Sequence, residues 1–308
     1  AKNKTGSTTL LEMFKLHSTP QDDAWKMEII NFLLKSGANP NIIHDNQYEC
    51  NSPLMSAVLA GRIDLVKLLL SYKAEANLKC KNGVNALSRL FGRYNPNYAG
   101  LLDTLIEAGT DVNTANEQGY TPLMIAVDSG NIPIIKKLLS KGASVNAQNA
   151  AGVTALMISL NKKFFDSGES SQPNIEIVEL LLKSGANPNL TVNSNGGTNY
   201  GTALAEAIWF QPSYSSQEIQ YASNDIIKLL IDYKADVNLT VQYKDSPLVS
   251  AVKGGRIEAL KILIEAGANV KGEEGRKALA IARVNMKYDK DKSTLEQIVK
   301  LLEAAGAK

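Results

Sequence analysis

Two histidines, His17 and His44, and two cysteines, Cys50 and Cys80, are all the chain holds of the side chains most used in metal binding and nucleophilic catalysis. No C-x-x-C pair occurs, and a structural zinc site needs four ligands at suitable spacing. No recognised pattern places a Ser or Cys with either histidine as a nucleophile–base pair. The expectation is therefore no catalytic residue, no cofactor and no metal. Charge of one sign is missing too: 33 basic residues face 31 acidic ones, for a net +2. A nucleic-acid-binding face usually needs a basic excess on one surface, so no nucleic acid is expected. No apolar run reaches the roughly 18 residues of a membrane span, and the cluster at 65–70 is interrupted by Lys67. The chain opens without methionine, on Ala1 and the polar stretch KNKTGST. That suits a mature protein cut after a small residue. An exported or periplasmic bacterial location is expected, with the cytoplasm as the alternative.

What is present is repetition. The stretch SPLMSAVLAGRIDLVKLLLSYKAEAN at 52–77 returns as TPLMIAVDSGNIPIIKKLLSKGASVN at 121–146 and as SPLVSAVKGGRIEALKILIEAGANV at 246–270. Each time the first Leu and the Ala after the second apolar run are 20 residues apart: Leu54 to Ala74, Leu123 to Ala143, Leu248 to Ala268. Ser52 and Thr121 can cap a helix through the hydroxyl. Pro53, Pro122 and Pro247 fall in the first turn, where a missing N–H costs nothing. Ala57, Ala126 and Ala251 are small enough for close stacking. Gly61, Gly130 and Gly255 end the first helix in a left-handed conformation. Leu65, Val66, Leu68 and Leu69 recur at helical spacing and read as core. Gly37, Gly109, Gly142, Gly185 and Gly267 end the second helix. Lys73 and Lys234 replace that glycine, each after a Tyr. A left-handed lysine should cost about 1 kcal/mol at each site.

These units resemble ankyrin repeats, whose signature is a turn and two helices opened by T-P-L-H-x-A. The His of that signature is absent. Met55, Met124, Met157 and Val249 stand in its place, so these junctions must rely on apolar packing. The resemblance extends over eight units, at about 8–41, 52–77, 85–113, 121–146, 154–189, 202–238, 246–271 and 277–308. It implies an all-α fold, an ankyrin-repeat solenoid with projecting hairpin fingers, as a single domain over 1–308. Repeat one has Met13 where repeat two has Ala57, as a terminal cap facing water can. The chain stops just past Gly306 and Ala307, which reads as a complete array without an effector domain.

The departures from the repeat carry the functional reading. The Leu-to-Ala distance grows to 28 in repeat one, 23 in three, 30 in five, 31 in six and 28 in eight. The extra residues fall between the two helices, and such insertions often lie on the binding face. Three of them bring aromatics, among them Tyr94, Tyr98, Phe165, Tyr214 and Tyr221. Aromatic side chains bury much area at low entropic cost in interfaces, or they buttress the stack. The long finger 190–202, with its polar and Gly-rich TVNSNGGTNYGT, joins the two most heavily inserted repeats. First proteolytic cleavage is expected within 193–199. In neighbouring fingers, Cys50 and Cys80 could form a disulfide in an exported protein. Adjacent repeats are, however, usually spaced beyond the ~7 Å Cα limit for a bridge.

The function expected is binding of another protein, as an inhibitor or regulator of a bacterial protein, by a chain monomeric when free. The concave face implied by the resemblance would have two walls. One wall is the fingers, with Tyr48, Lys79, Lys81, Glu117, Tyr200 and Tyr243. The other is the inserts, with Tyr94, Tyr98, Phe165, Tyr214 and Tyr221. The alternatives are nucleic-acid binding through stacked insert aromatics and an enzyme site in the inserted loops.

Overall fold

A hydroxyl, a proline and a short apolar run start the first helix of each regular unit. Ser52 Oγ accepts from the Met55 amide at 3.2 Å, Thr121 Oγ1 from Met124 at 3.3 Å and Ser246 Oγ from Val249 at 3.2 Å. Thr154 and Thr202 do the same for Met157 and Ala205. All five cap residues are buried. Each such cap contributes about 1 kcal/mol.

The computed structural model describes residues 9–15, 22–45, 50–81, 83–90, 98–116, 118–160, 174–193, 201–209, 217–242, 244–288 and 292–308. Its helices come in pairs. They are α1 (Thr9–Lys15) with α2 (Asp22–Lys35), α3 (Pro53–Leu59) with α4 (Ile63–Ser71), and α5 (Ala86–Leu90) with α6 (Tyr98–Glu107). Next come α7 (Pro122–Asp128) with α8 (Ile132–Ser140) and α9 (Ala155–Leu160) with α10 (Ile175–Lys183). The last are α11 (Ala203–Trp209) with α12 (Gln217–Asp232), α13 (Pro247–Lys253) with α14 (Ile257–Glu265), and α15 (Glu273–Tyr288) with α16 (Lys292–Ala304). The three regular units have identical helix lengths, 7 and 9 residues. In the inserted units some of the extra residues lengthen a helix: α2 has 14, α12 has 16 and α15 has 16.

The chain forms two compact units, Ala1–Ile125 with Ser140–Ala143, and Ala126–Leu139 with Ser144–Lys308. Within the first, α1, α3 and α5 stack on one another, and α4 packs on α6. Within the second, α9, α11, α13 and α15 form one row and α10, α12, α14 and α16 another. Leu65, Val66 and Leu69 of α4 are at most 3 % exposed, as are Ile177, Val178 and Leu181 of α10. Burying each such side chain is worth about 1.5–3 kcal/mol. Met55, Met124, Met157 and Val249 are buried as well, so apolar packing fills the place of the missing His.

The helix ends follow the pattern of the sequence. Gly61, Gly130 and Gly255 have φ of 72°, 69° and 63°, and the glycines closing the second helices have φ between 78° and 98°. Lys73 and Lys234 adopt the same conformation, at φ 63° and 68°. Tyr72 gives something back at the first site, its hydroxyl donating to Asn31 Oδ1 of α2 at 3.1 Å. Lys73→Gly and Lys234→Gly are each expected to stabilise the protein by about 1 kcal/mol. Thermal melting of the two variants checks this, and an unchanged or lowered midpoint would refute it. At α4, Nε and Nη2 of the Arg62 guanidinium donate to the two Asp64 carboxylate oxygens, at 2.9 and 2.7 Å. This pairing holds the Asp64 carboxyl below its ordinary range.

The junction before the last unit departs from expectation. Instead of a finger, the chain turns tightly after Val270 and α15 begins at Glu273, four residues before the expected start of repeat eight. Val270 N donates to Ala268 O at 2.8 Å and Gly272 N to Asn269 O at 3.4 Å.

Candidate functional site

Three of the fingers are built on a left-handed glycine three residues past a fixed anchor. Gly83 N donates to Cys80 O, Gly119 N to Asn116 O and Gly152 N to Asn149 O, at 2.9–3.0 Å. These glycines have φ of 82–83°. Where the anchor is Asn, its side chain closes the turn. Asn116 Oδ1 accepts from the amides of Gln118 and Tyr120, and Asn149 Oδ1 from those of Ala151 and Val153, all at 2.9–3.0 Å.

Each finger is also tied to its neighbour. The Asn three residues past the small residue closing each second helix bridges to the next repeat. Asn41 Nδ2 donates to Lys73 O at 3.1 Å, and its Oδ1 accepts from Glu75 N at 2.7 Å. Asn77 makes the same pair of bonds with Gly109 O and Asp111 N, Asn146 with Gly185 O and Asn187 N, and Asn189 with Lys234 O and Asp236 N. Asn238 does so with Gly267 O and Asn269 N. The carbonyl used is always that of the left-handed residue, which turns it back towards the preceding finger. The run ends at Lys271, which holds the equivalent place. A Cβ added at Gly306 would meet the aliphatic stem of Lys271 at 2.8 Å. The sequence displays the recurrence of this Asn but not the backbone partners that give it its role.

Asn189→Ala removes both bonds of one rung. With exposed partners the expected loss is about 1–2 kcal/mol, measured by chemical denaturation. A loss below about 0.3 kcal/mol would mean that water replaces the rung at no cost.

Two further braces join fingers. In the second unit, Gln148 Nε2 donates to Thr191 O, Asn193 N to Ala151 O and Asn193 Nδ2 to Ala150 O, each at 2.9 Å. Gly152 is required here, because an added Cβ would lie 2.7 Å from Asn193 N. In the first unit, the finger strands β1 (His44–Asp45) and β2 (Cys50–Asn51) pair antiparallel. Cys50 and Cys80 form a disulfide with a Cα–Cα distance of 6.2 Å. The spacing argument against this bridge fails because the fingers approach more closely than the repeats that carry them. The Arg89 guanidinium donates to Cys50 O, and Cys80 Sγ lies 3.9 Å from Met55 Sδ.

Of the residues expected to bind, Lys79 and Lys81 are exposed and flank the buried Cys80. The disulfide therefore anchors the finger segment that displays these two ammonium groups. Tyr98 begins α6 and Tyr221 lies in α12, with side chains outside the described set. Tyr48, Tyr94, Glu117, Phe165, Tyr200, Tyr214 and Tyr243 lie outside the described residues. Most of segment 193–199 also lies outside them. Limited proteolysis is still expected to cut there first, with a first cut elsewhere counting against it. No helix among the described residues is long and apolar enough to cross a membrane.

A family model for ankyrin repeats matches three times, over residues 23–91, 92–192 and 216–307. A putative ankyrin repeat protein of fowlpox virus is 32 % identical over 139 residues, covering 36 % of this chain and 24 % of the viral protein. The nuclear factor NF-kappa-B p105 subunit of Gallus gallus is 35 % identical over 109 residues, 35 % of this chain and 11 % of its own length. The chain thus spans about a quarter or less of these two relatives. A putative ankyrin repeat protein of Escherichia coli, YahD, is 26 % identical over 69 % of this chain and 94 % of its own. Among solved structures, an ankyrin repeat domain from Acinetobacter baumannii is similar, with a TM-score of 0.57 and 28 % identity. That likeness covers 70 % of this chain and 98 % of that one. Ankyrin repeats are protein–protein interaction modules, and the fold is all-α with hairpin fingers. With family matches over well more than half of its residues, this chain belongs to the ankyrin repeat family.

Proposed function

We propose that the chain is a binding scaffold for another protein and acts as an inhibitor or regulator of a bacterial protein. The observation that carries this reading is the fixing of the fingers. Each rung, the hydrogen bonds between fingers and the disulfide hold loop backbone in place before any partner arrives. Order already present in the free protein lowers the entropic cost of association. Lys79 and Lys81 are held in this way and offer cationic contacts to an acidic patch. The repeats act as one array over 1–308, with the fingers on one wall of the binding face and the inserts on the other. The finger residues are Tyr48, Lys79, Lys81, Glu117, Tyr200 and Tyr243. The insert residues are Tyr94, Tyr98, Phe165, Tyr214 and Tyr221. A buried disulfide also suits an oxidising compartment such as the periplasm.

The test is affinity capture from bacterial lysate with the wild-type chain, Lys79→Glu/Lys81→Glu and Tyr214→Ala/Tyr221→Ala. A protein retained by wild type and weakened by ~2 kcal/mol or more in a variant with unchanged melting supports the corresponding wall. Equal retention by both variants removes both walls. Retention of the chain on heparin at ~0.15 M salt would instead favour nucleic acid.

A further inference from the structure

In the second unit, one pair of fingers is joined through the residue two places past each rung Asn. Gln148 holds that place in the first finger and Thr191 in the next, and Gln148 Nε2 donates to Thr191 O at 2.9 Å. At the junction before the last unit the same place falls to Thr240 and to Glu273. Glu273 stands in no finger but opens α15. Between Thr240 and Glu273 lies a recess of about 200 Å³, far above the ~10–15 Å³ that one water needs. Val237 and Leu248 give it an apolar wall, Ser246 a buried hydroxyl and Glu274 a second carboxylate. The Asn238 rung and its partner Asn269 border it as well.

An acidic first turn stabilises a helix by itself, which accounts for the exposed Glu273. It does not account for Glu274. Oε2 of that side chain is buried and has no hydrogen-bond partner, and leaving a buried acceptor unpaired is costly. The nearby cations are engaged elsewhere or stand at the limit of reach. Lys253 Nζ is 2.7 Å from Asp245 Oδ2. Lys277 Nζ lies 3.8 Å from Asp245 Oδ1 and 4.0 Å from Glu274 Oε1. Neither lysine lines the recess, which two carboxylates and no basic side chain border.

We propose that this recess receives an arginine side chain of the protein bound along the fingers. The proposal rests on the protein-binding reading and names one contact within it. The guanidinium donates to Glu274 Oε2 and to the Glu273 carboxylate, and the aliphatic stem lies against Val237 and Leu248. Arginine suits the recess better than lysine. Its planar fork serves two carboxylates at once, and a guanidinium is more weakly hydrated than an ammonium. The occupant takes the place beside Thr240 that Thr191 takes beside Gln148.

The experiment is a titration of the intact, isotope-labelled chain with N-acetyl-arginine N-methylamide, followed through the backbone amide resonances. Saturable shifts are expected at Thr240, Glu273 and Glu274, with a Kd on the order of millimolar for a single side chain. The citrulline analogue, neutral and of the same shape, should give none. The lysine analogue should bind at least ~3-fold more weakly. Glu274→Gln should weaken binding at least ~10-fold, with helical circular dichroism unchanged. Glu273→Gln, at an exposed position, provides the same test if Glu274→Gln lowers the helicity. Glu296→Gln, exposed on α16 and outside the recess, should change nothing. Shifts absent up to ~50 mM overturn the proposal. So do shifts shared by the citrulline analogue, binding indifferent to both glutamine variants, or a lysine analogue bound as tightly. Calcium chloride producing the same shifts would make the recess a metal site and overturn it too. The titration contains no partner protein, so its failure is distinct from a failure of affinity capture.

Discussion

Gly275→Ala is expected to destabilise the C-terminal unit by about 3 kcal/mol or more. Gly275 lies in the first turn of α15 and is buried. A Cβ built there would overlap the carbonyl group of Val270, with the Val270 Cα also only 2.8 Å away. The obstacle is backbone, so no rotamer change relieves it. Either α15 starts later, or the turn at 268–272 opens. Opening the turn would disturb Asn269, whose amide is held by Asn238 Oδ1 at 2.7 Å. The control is Gly37→Ala. Gly37 is left-handed at φ 86°, but an added Cβ there meets nothing within 4 Å. That variant should lose only about 1 kcal/mol, the conformational cost alone. Equilibrium denaturation of the two variants decides the matter, and equal losses would mean that the α15 start adapts freely.

Removing the disulfide should have a comparable effect on the N-terminal unit. Cys50 and Cys80 are 30 residues apart in sequence. A cross-link closing a loop of that length restricts the unfolded chain by about 3–4 kcal/mol in the chain-entropy model. Cys50→Ala with Cys80→Ala should therefore unfold at distinctly lower denaturant concentration than the oxidised wild type. Adding a reductant should bring wild type close to the variant and leave the variant unchanged. Both cysteines are buried, at 5 % exposure each, so reduction of the folded protein should be slow. Two free thiols in the denatured, unreduced protein would end this account.

The regular units were legible from their sequences because every signal in them is local. Ser52, Pro53 and Gly61 act within one helix, and the sequence places the start and end of α3 and α4 from them. The left-handed lysines at 73 and 234 were legible for the same reason: each occupies a position where other repeats carry glycine. The rungs were not, although Asn41, Asn77 and Asn146 recur plainly. Their partners lie on the next repeat, and a side chain bonded to a neighbour's backbone leaves no residue-type signature on that neighbour. The approach of Cys50 to Cys80 depends on how fingers lean, which repeat spacing does not report. At the last junction, GEEG allows either a turn or a helix start, and packing on Val270 selects the helix. Lys79 and Lys81 could be placed. The aromatic candidates sit in insertions, where the repeat supplies no template for the backbone.

The rungs also separate two lengths that would otherwise be coupled. Asn77 reaches Asp111 across 34 residues of chain, Asn146 reaches Asn187 across 41, and Asn189 reaches Asp236 across 47. The bond is 2.7 Å in all three. A longer insert between two helices therefore leaves the step from one finger to the next unchanged. Inserts can grow, shrink or change composition over generations while the fingers keep their pitch. The loops between paired helices can vary freely while the fingers stay in register.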